Sequence, residues 1–205
     1  VVGCNNARTR HNEAHIAVVK ELIKNDVIVL TTGCNGIACA MEGLLTPESA
    51  AVHCGPGLAE VCETVGIPPV LHCGSCVDNS RLLLAATEVV KAGGLGKDIC
   101  DLPLAGSAPE WMSEKAISIG QYFVTSGVYT VFGLHLPTSG APVFHDYLSK
   151  ELEKMYGGKW DLEADPIKHA RMMIAHIDKK RKELGIDKAR ERVLMDMADR
   201  QALEG

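Results

Sequence analysis

The chain has 205 residues, is 46% hydrophobic and 23% charged, and carries a formal net charge of −5. That suits one good-sized domain with its own core. It excludes a nucleic-acid footprint, because the one basic cluster, at residues 179–182, sits near Glu and Asp and reads as a solvated helix face.

No apolar run is long enough to span a membrane and no secretory leader is recognisable, so a cytoplasmic protein is expected. Residues 1–3 read as the end of an apolar core strand, and the chain is therefore expected to be the C-terminal part of a longer one. Residues 6–24 carry Ile16, Val19, Leu22 and Ile23 at helical spacing, and Asn25-Asp26 ends that helix. The β-branched run VIVLTT, 27–32, suits a parallel strand buried on both faces. A Gly-Cys turn leads into a helix to about residue 45, and a short helix follows Thr46-Pro47. Residues 55–66 form a helix that glycine ends. PPVLHC, 68–73, is a third strand and 79–92 its helix. GGLGKD is a loop, 101–111 hold a short strand, and 113–127 a helix with Ser113 as N-cap. Residues 128–134 are a further strand and 137–142 a Gly/Pro loop. Asp165-Pro166 places an N-cap before Pro at the first helical position. That helix runs to Leu184, Gly185 closes it, and a last amphipathic helix fills 187–203. Strands alternating with helices predict an α/β, Rossmann-like, mostly parallel sheet with helices on both faces. Residues 1–205 are expected to form one domain, with 161–205 a helical C-terminal extension packed against the sheet.

Eight cysteines are many for such a chain, and they favour metal or redox chemistry over disulfides. Cys4, Cys34 and Cys76 each follow a strand, in VVGCNN, LTTGCNG and PPVLHCGSCVDNSR, and each precedes a helix. In an open α/β sheet, sites form beyond the carboxyl ends of the strands, where helix N-termini favour thiolate. Gly3, Gly33 and Gly74 stand just before the three cysteines and let the backbone bend sharply around a bulky group. A single cysteine at a strand end is most often a small buried hydrophobe. Three in one topological position point to a thiolate cage for an iron–sulfur cluster, zinc or a similar soft centre. Three thiolates do not complete a four-iron cluster, so further ligands are expected from elsewhere. Cys73 and Cys76 also form a CxxC, which alone reads as a thioredoxin-like pair but leaves Cys4 and Cys34 unexplained. Cys39, Cys54, Cys62 and Cys100 read as packing residues, with Cys39 a spare ligand at most. His11 and His15, four apart, read as a solvated helix face rather than metal ligands. His72 reads as a packed strand histidine or a donor behind the cysteines. Asp78, Asn79 and Arg81 read as residues that cap and orient the helix after Cys76.

GCNNAR, LTTGCNG, PPVLHCGSCVDNSR and APEWMSEKAISIG together resemble the C-terminal domain of the anaerobic nickel–iron–sulfur carbon monoxide dehydrogenases, over essentially the whole chain. The resemblance implies the reaction CO + H2O → CO2 + 2 H+ + 2 electrons at a Ni-4Fe-4S cluster. It implies that Cys4 and Cys34 bind irons of that cluster and that Cys76 binds the nickel. Lys115, in SEKA, matches a lysine that stabilises bound carboxylate or hydroxide. Ile119, one turn later, matches an apolar residue packed over the open nickel position. The physics agrees: soft thiolates suit a CO-binding metal, and a cation stabilises negative charge that develops on oxygen. The family's remaining cluster ligands, further 4Fe-4S clusters and proton-handling residues lie upstream of such a domain, so this chain alone is expected to be inactive. The stretch around VGIPP reads as a trimmed loop. A homodimer and a redox partner such as a ferredoxin are implied by the resemblance, not by these residues. Two other readings stand beside it: a hybrid-cluster protein domain, which would hold iron without nickel and reduce hydroxylamine-like compounds, and a non-catalytic metal-binding fragment.

Overall fold

The structure, a computed structural model, describes residues 1–4 and 13–188. Its elements are α1 (Glu13–Lys24), β1 (Val29–Thr31), α2 (Cys34–Met41), α3 (Ser49–His53), α4 (Pro56–Val65), β2 (Val70–His72), α5 (Asn79–Ala92), β3 (Ala105–Ala108), α6 (Glu114–Thr125), β4 (Tyr129–Phe132), α7 (Pro142–Tyr156), β5 (Trp160–Leu162) and α8 (Pro166–Glu183). The start of the expected first helix, the helix proposed for 187–203 beyond residue 188, and His11 lie outside the described residues.

β1 pairs in parallel with β2, and β3, β4 and β5 form a second parallel sheet in that order. Residues 1–4 join the two. They are not regular enough to count as a strand, yet they bond like one. The Val1 nitrogen donates to the Leu30 carbonyl at 2.7 Å, Val2 N–H to Ser107 at 2.8 Å, and Cys4 N–H to Glu110 at 3.3 Å. The spatial order is therefore β2, β1, residues 1–4, β3, β4, β5. This is the α/β parallel architecture that the alternating pattern predicts.

Side chains alternate across this sheet, as strand geometry requires. On one face Val29, Tyr129 and Val131 pack with Leu22 and Ile23 of α1 and Ala170 and Met173 of α8. On the other, Val2, Ala108 and Phe132 pack with Leu82 and Leu83 of α5, Phe123 and Val124 of α6, Leu152 of α7 and Trp160. Each fully buried Leu, Val or Phe contributes roughly 1.5–3 kcal/mol. Gly120 in α6 is required by this packing, since a Cβ there would strike the Phe132 ring. α8 lies along α1 and crosses β3 and β4. Its N-cap is the expected one: Asp165 Oδ1 accepts from the N–H groups of Ile167 and Lys168, both at 2.9 Å. The basic cluster near its end is a solvated face. Lys179 and Lys180 pair with Glu183, and Arg181 with Asp178.

Two elements were not among those expected. α7 begins with Pro142 at its first turn and ends at Gly157, which takes φ 74°. Its buried stripe is narrow: Leu152 is buried, whereas Val143, Phe144 and Tyr147 are exposed. A helix with so little apolar periodicity is hard to see in sequence. β5 is three residues long. α2 also stops at Met41 rather than near 45, because Gly43 at φ 72° turns the chain and Leu44 N–H reaches back to Cys39.

At the amino ends of the strands an apolar cavity of about 680 Å³ is lined by Val1, Leu22, Ile28, Leu58, Leu104 and Phe123, among others. Among the described residues, no helix is long and apolar enough to cross a membrane.

Candidate metal centre

The other end of the sheet carries the thiols. Cys76 follows β2, Cys34 follows β1, and Cys4 ends the bridging segment. Lys115 follows β3, as the second residue of α6. These are the carboxyl ends of four consecutive neighbours in the sheet, which is where α/β sites form.

All three glycines in front of the cysteines take positive φ: Gly3 152°, Gly33 63° and Gly74 114°. Side chains rarely tolerate that region. Space forbids a side chain at each as well. A Cβ on Gly3 would meet the His15 ring and the Glu110 carbonyl, one on Gly33 the Cys76 sulfur, and one on Gly74 the Asp78 carboxylate. The Cys76 thiol thus rests on the backbone that starts α2, whose first residue is Cys34. Gly33 N–H donates to Gly74 O at 2.8 Å, which carries the β1–β2 pairing into both cysteine turns.

The three thiols are half-buried and unpaired by disulfides. Cys4 Sγ lies 3.9 Å from Ser113 Oγ. Ser113 does occupy the N-cap position of α6, but its hydroxyl makes no cap bond and faces Cys4 instead. Among the described residues, no three His, Cys, Asp or Glu side chains are close enough to share a single metal ion. Burial pushes the Cys39 and Cys54 thiols up to about 11, and those of Cys62, Cys73 and Cys100 upward as well. Each is thereby held as a neutral thiol. Cys39 is wholly buried with its thiol 4.0 Å from Asn35 Oδ1. Cys73 donates to the Leu71 carbonyl at 3.7 Å.

The Cys76 turn is braced by a capping box. Ser75 donates to Asp78 Oδ2 from its N–H at 2.8 Å and its hydroxyl at 2.9 Å, and Arg81 pairs with Asp78 at 3.2 Å. Those Ser75 bonds hold the Asp78 carboxyl below the usual carboxylate range. His72 sits against Gly36, where a Cβ would strike its ring, and its Nδ1 accepts from Gly74 N–H at 3.0 Å. His15 is not on a solvated face. It is fully buried, with Nε2 3.0 Å from the Cys4 carbonyl. Charge and spacing alone favoured a wet helix face, and only the sheet crossing beneath α1 buries this residue.

Lys115 is exposed and forms no ion pair among the described residues, and Ile119 is half-buried against the α5–α6 core. Val77, Ile37 and Met112, beside the thiol-bearing turns, leave apolar side chains exposed. Sequence reasoning missed Ser113 beside Cys4 and the buried amide of Asn35, and although it singled out Asn79 it did not see the bond from Thr32. The repeated Gly-Cys-Asn at 3–5 and 33–35 is a signal that could have drawn attention to Asn35.

Carbon monoxide dehydrogenase 1 of Methanosarcina mazei is 56% identical over 187 residues, which is 91% of this chain and 29% of that protein. Carbon monoxide dehydrogenase 1 of Carboxydothermus hydrogenoformans is 40% identical over 90% of this chain and 30% of its own length. The as-isolated, Ni-free crystal structure of carbon monoxide dehydrogenase from Thermococcus sp. AM4 superposes with TM-score 0.84 at 52% identity, over 90% of this chain and 29% of that one. The chain thus spans under a third of these relatives. Residues 1–167 match the model of the Prismane/CO dehydrogenase family, and with the fold and thiol edge already described this shows that the chain belongs to that family.

Proposed function

We propose that this chain is the C-terminal active-site domain of an anaerobic carbon monoxide dehydrogenase, catalysing CO + H2O → CO2 + 2 H+ + 2 electrons. The observation that carries the reading is the row of Cys76, Cys34, Cys4 and Lys115 at the carboxyl ends of four neighbouring strands. The thiols there fit a nickel–iron–sulfur cluster in donor softness. The positive-φ glycines before them let these turns lie directly against His15, the Cys76 thiol and Asp78. That one relative is distinguished as Ni-free agrees with nickel as the working metal.

When bound, such a cluster supplies a soft, electron-rich centre that takes CO and accepts the two electrons. The chain's own residues do the rest. Cys4 and Cys34 would hold irons and Cys76 nickel, with Cys34 the first residue of α2 and Cys76 in the turn that leads into α5. Lys115, at the first turn of α6 and without an ion pair among the described residues, would offer a cation to an oxygen that gains negative charge. Ile119, one turn on, restricts access on that side. The exposed apolar rim of Val77, Ile37 and Met112 suits coverage by the rest of a longer protein, which would complete the ligand set. The chain alone, reconstituted with nickel, iron and sulfide, is expected to give no CO-dependent dye reduction. The same reading carries a homodimer, a ferredoxin-type electron acceptor and a cytoplasmic location.

The test is nickel and iron content of the anaerobically purified protein that contains this chain, with and without Cys76→Ser. Nickel with several irons in the wild type, and loss of nickel and of CO-dependent dye reduction in the variant, is expected. Iron without nickel in the wild type overturns the proposal.

A further inference from the structure

Two buried polar side chains tie the thiol-bearing turns together. Asn79, at the start of α5, is 4% exposed, and Thr32, two residues before Cys34, is 1% exposed. Thr32 Oγ1–H donates to Asn79 Oδ1 at 2.9 Å, and Asn79 Nδ2 donates to the Cys76 carbonyl at 2.6 Å. The amide therefore spans from the end of β1 to the backbone of the Cys76 turn. Asn35 makes a parallel link, donating from Nδ2 to Thr31 Oγ1 at 2.7 Å and to the Val1 carbonyl at 3.2 Å. The Ser75–Asp78 capping box already closes the 76–78 turn without the Thr32 bond.

We propose that Asn79, locked by Thr32, is a positioning residue that fixes the Cys76 backbone relative to Cys34 and so governs how firmly the edge retains nickel. The proposal rests on the reading of Cys76 as the nickel ligand. Its physical basis is rigidity. The Cys76 thiol lies on Gly33, so besides that contact the two thiol-bearing turns are held to each other by the Gly33–Gly74 backbone bond and by the Asn79 amide. A buried amide bonded at both ends resists displacement, because either bond lost leaves an unpaired polar group out of water. Cys34 and Cys4 have their own anchors, in α2 and in the bond from Cys4 N–H to Glu110. Loosening Asn79 should therefore be felt at nickel before it is felt at iron.

The experiment uses the whole protein, purified anaerobically, with Asn79→Ala, Thr32→Val and Thr32→Ser. Nickel and iron per chain are measured before and after challenge with a competing chelator, and folding is followed by circular dichroism. The expected result is that Asn79→Ala and Thr32→Val keep wild-type iron but lose nickel 10- to 100-fold more readily, the range for groups that orient metal ligands. Thr32→Ser, which keeps the hydroxyl, should retain nickel like the wild type. A merely structural role would lower yield or thermal stability without moving the nickel-to-iron ratio. A wild-type ratio in both Asn79→Ala and Thr32→Val overturns the proposal, and so does a Thr32→Ser protein that behaves like Thr32→Val. Should Asn79→Ala fail to fold, the Thr32 pair decides alone. Nickel missing from the wild type itself would sink the functional reading and this inference with it, a failure visible before any variant is made.

Discussion

The two ends of this one sheet are built on opposite principles. At the amino ends the strands border a cavity of about 680 Å³ lined chiefly by aliphatic and aromatic side chains. Its acidic member, Asp26, is already committed, with Oδ1 accepting from Leu58 N–H at 2.9 Å and so capping α4. At the carboxyl ends there are thiols, an exposed lysine, glycines at positive φ and helices that start rather than stop. Volume favours the first end and chemistry the second. The difference teaches that a cavity whose charged members, Asp26 and Arg181, are already bonded within the fold reads as a packing feature, whereas a row of anchored soft donors is the better candidate for a site.

The contrast is broken most directly by exchanging the targets of mutation. Leu22 of α1 is 1% exposed and lines the cavity, so Leu22→Ala removes buried apolar contacts beside an existing void. It should destabilise the protein by about 2–5 kcal/mol, read as a fall in denaturant midpoint, with little change in turnover per folded molecule. Lys115→Ala should do the reverse. The side chain is exposed and unpaired among the described residues, so stability should shift by no more than about 0.5 kcal/mol. CO oxidation should fall about 100-fold or more, from loss of one charge at the reacting oxygen. Equal losses of activity and stability in Lys115→Ala would remove it from the reaction.

What sequence could show follows the same division. The thiol edge was legible because it is written in rare residue types at strand ends, and because Gly3, Gly33 and Gly74 mark turns that only glycine makes. The sheet was legible from runs such as VIVLTT, although the two halves join through residues 1–4, whose pairing no local pattern reveals. α7 was not legible, since a helix with one fully buried residue has almost no period to detect. Nor was the burial of His15, nor the Thr32–Asn79 link. Both depend on which element crosses which, and tertiary placement overrides local propensity at such positions.

The histidines of the α1–α8 layer sharpen the comparison through pH. His169 is 1% exposed, with Nδ1 3.1 Å from the Glu163 carbonyl and Nε2 2.7 Å from Ser107 Oγ. A carbonyl only accepts, so Nδ1 carries the proton and Nε2 accepts from the hydroxyl, which satisfies the neutral ring. Burial pushes His169 down to about 4, and His176, stacked on Tyr129 at 4.6 Å, is likewise pushed down to about 4 by burial and then by Lys180. The unfolded chain takes up these protons near pH 6.5 while the folded one refuses them until about 4. Stability is therefore full above pH 6.5 and declines as pH falls toward 4, by roughly 1–3 kcal/mol for His169. His169→Gln should flatten the slope of denaturant midpoint against pH across that window. An unchanged slope would mean that the acid sensitivity lies elsewhere.

The smallest effect concerns a helix start far from the thiols. Asp165 caps α8 through the bonds to Lys168 and Ile167 N–H, and those bonds hold its carboxyl below the usual carboxylate range. The cap is thus at full strength above the ordinary carboxylate value near 4 and is lost as pH falls through the depressed one. Asp165→Ala should leave the Ile167 and Lys168 amides without acceptors and speed their hydrogen exchange about five-fold near neutral pH. Because α8 packs along α1 and over β3 and β4, the loosening should fade within a turn, and exchange at Ala170 and Met173 should stay at its wild-type rate. Faster exchange along the whole of α8 would instead show that this helix is held by its cap more than by its buried face, and that the layer opposite α5 and α6 is far less firmly packed than its buried side chains imply.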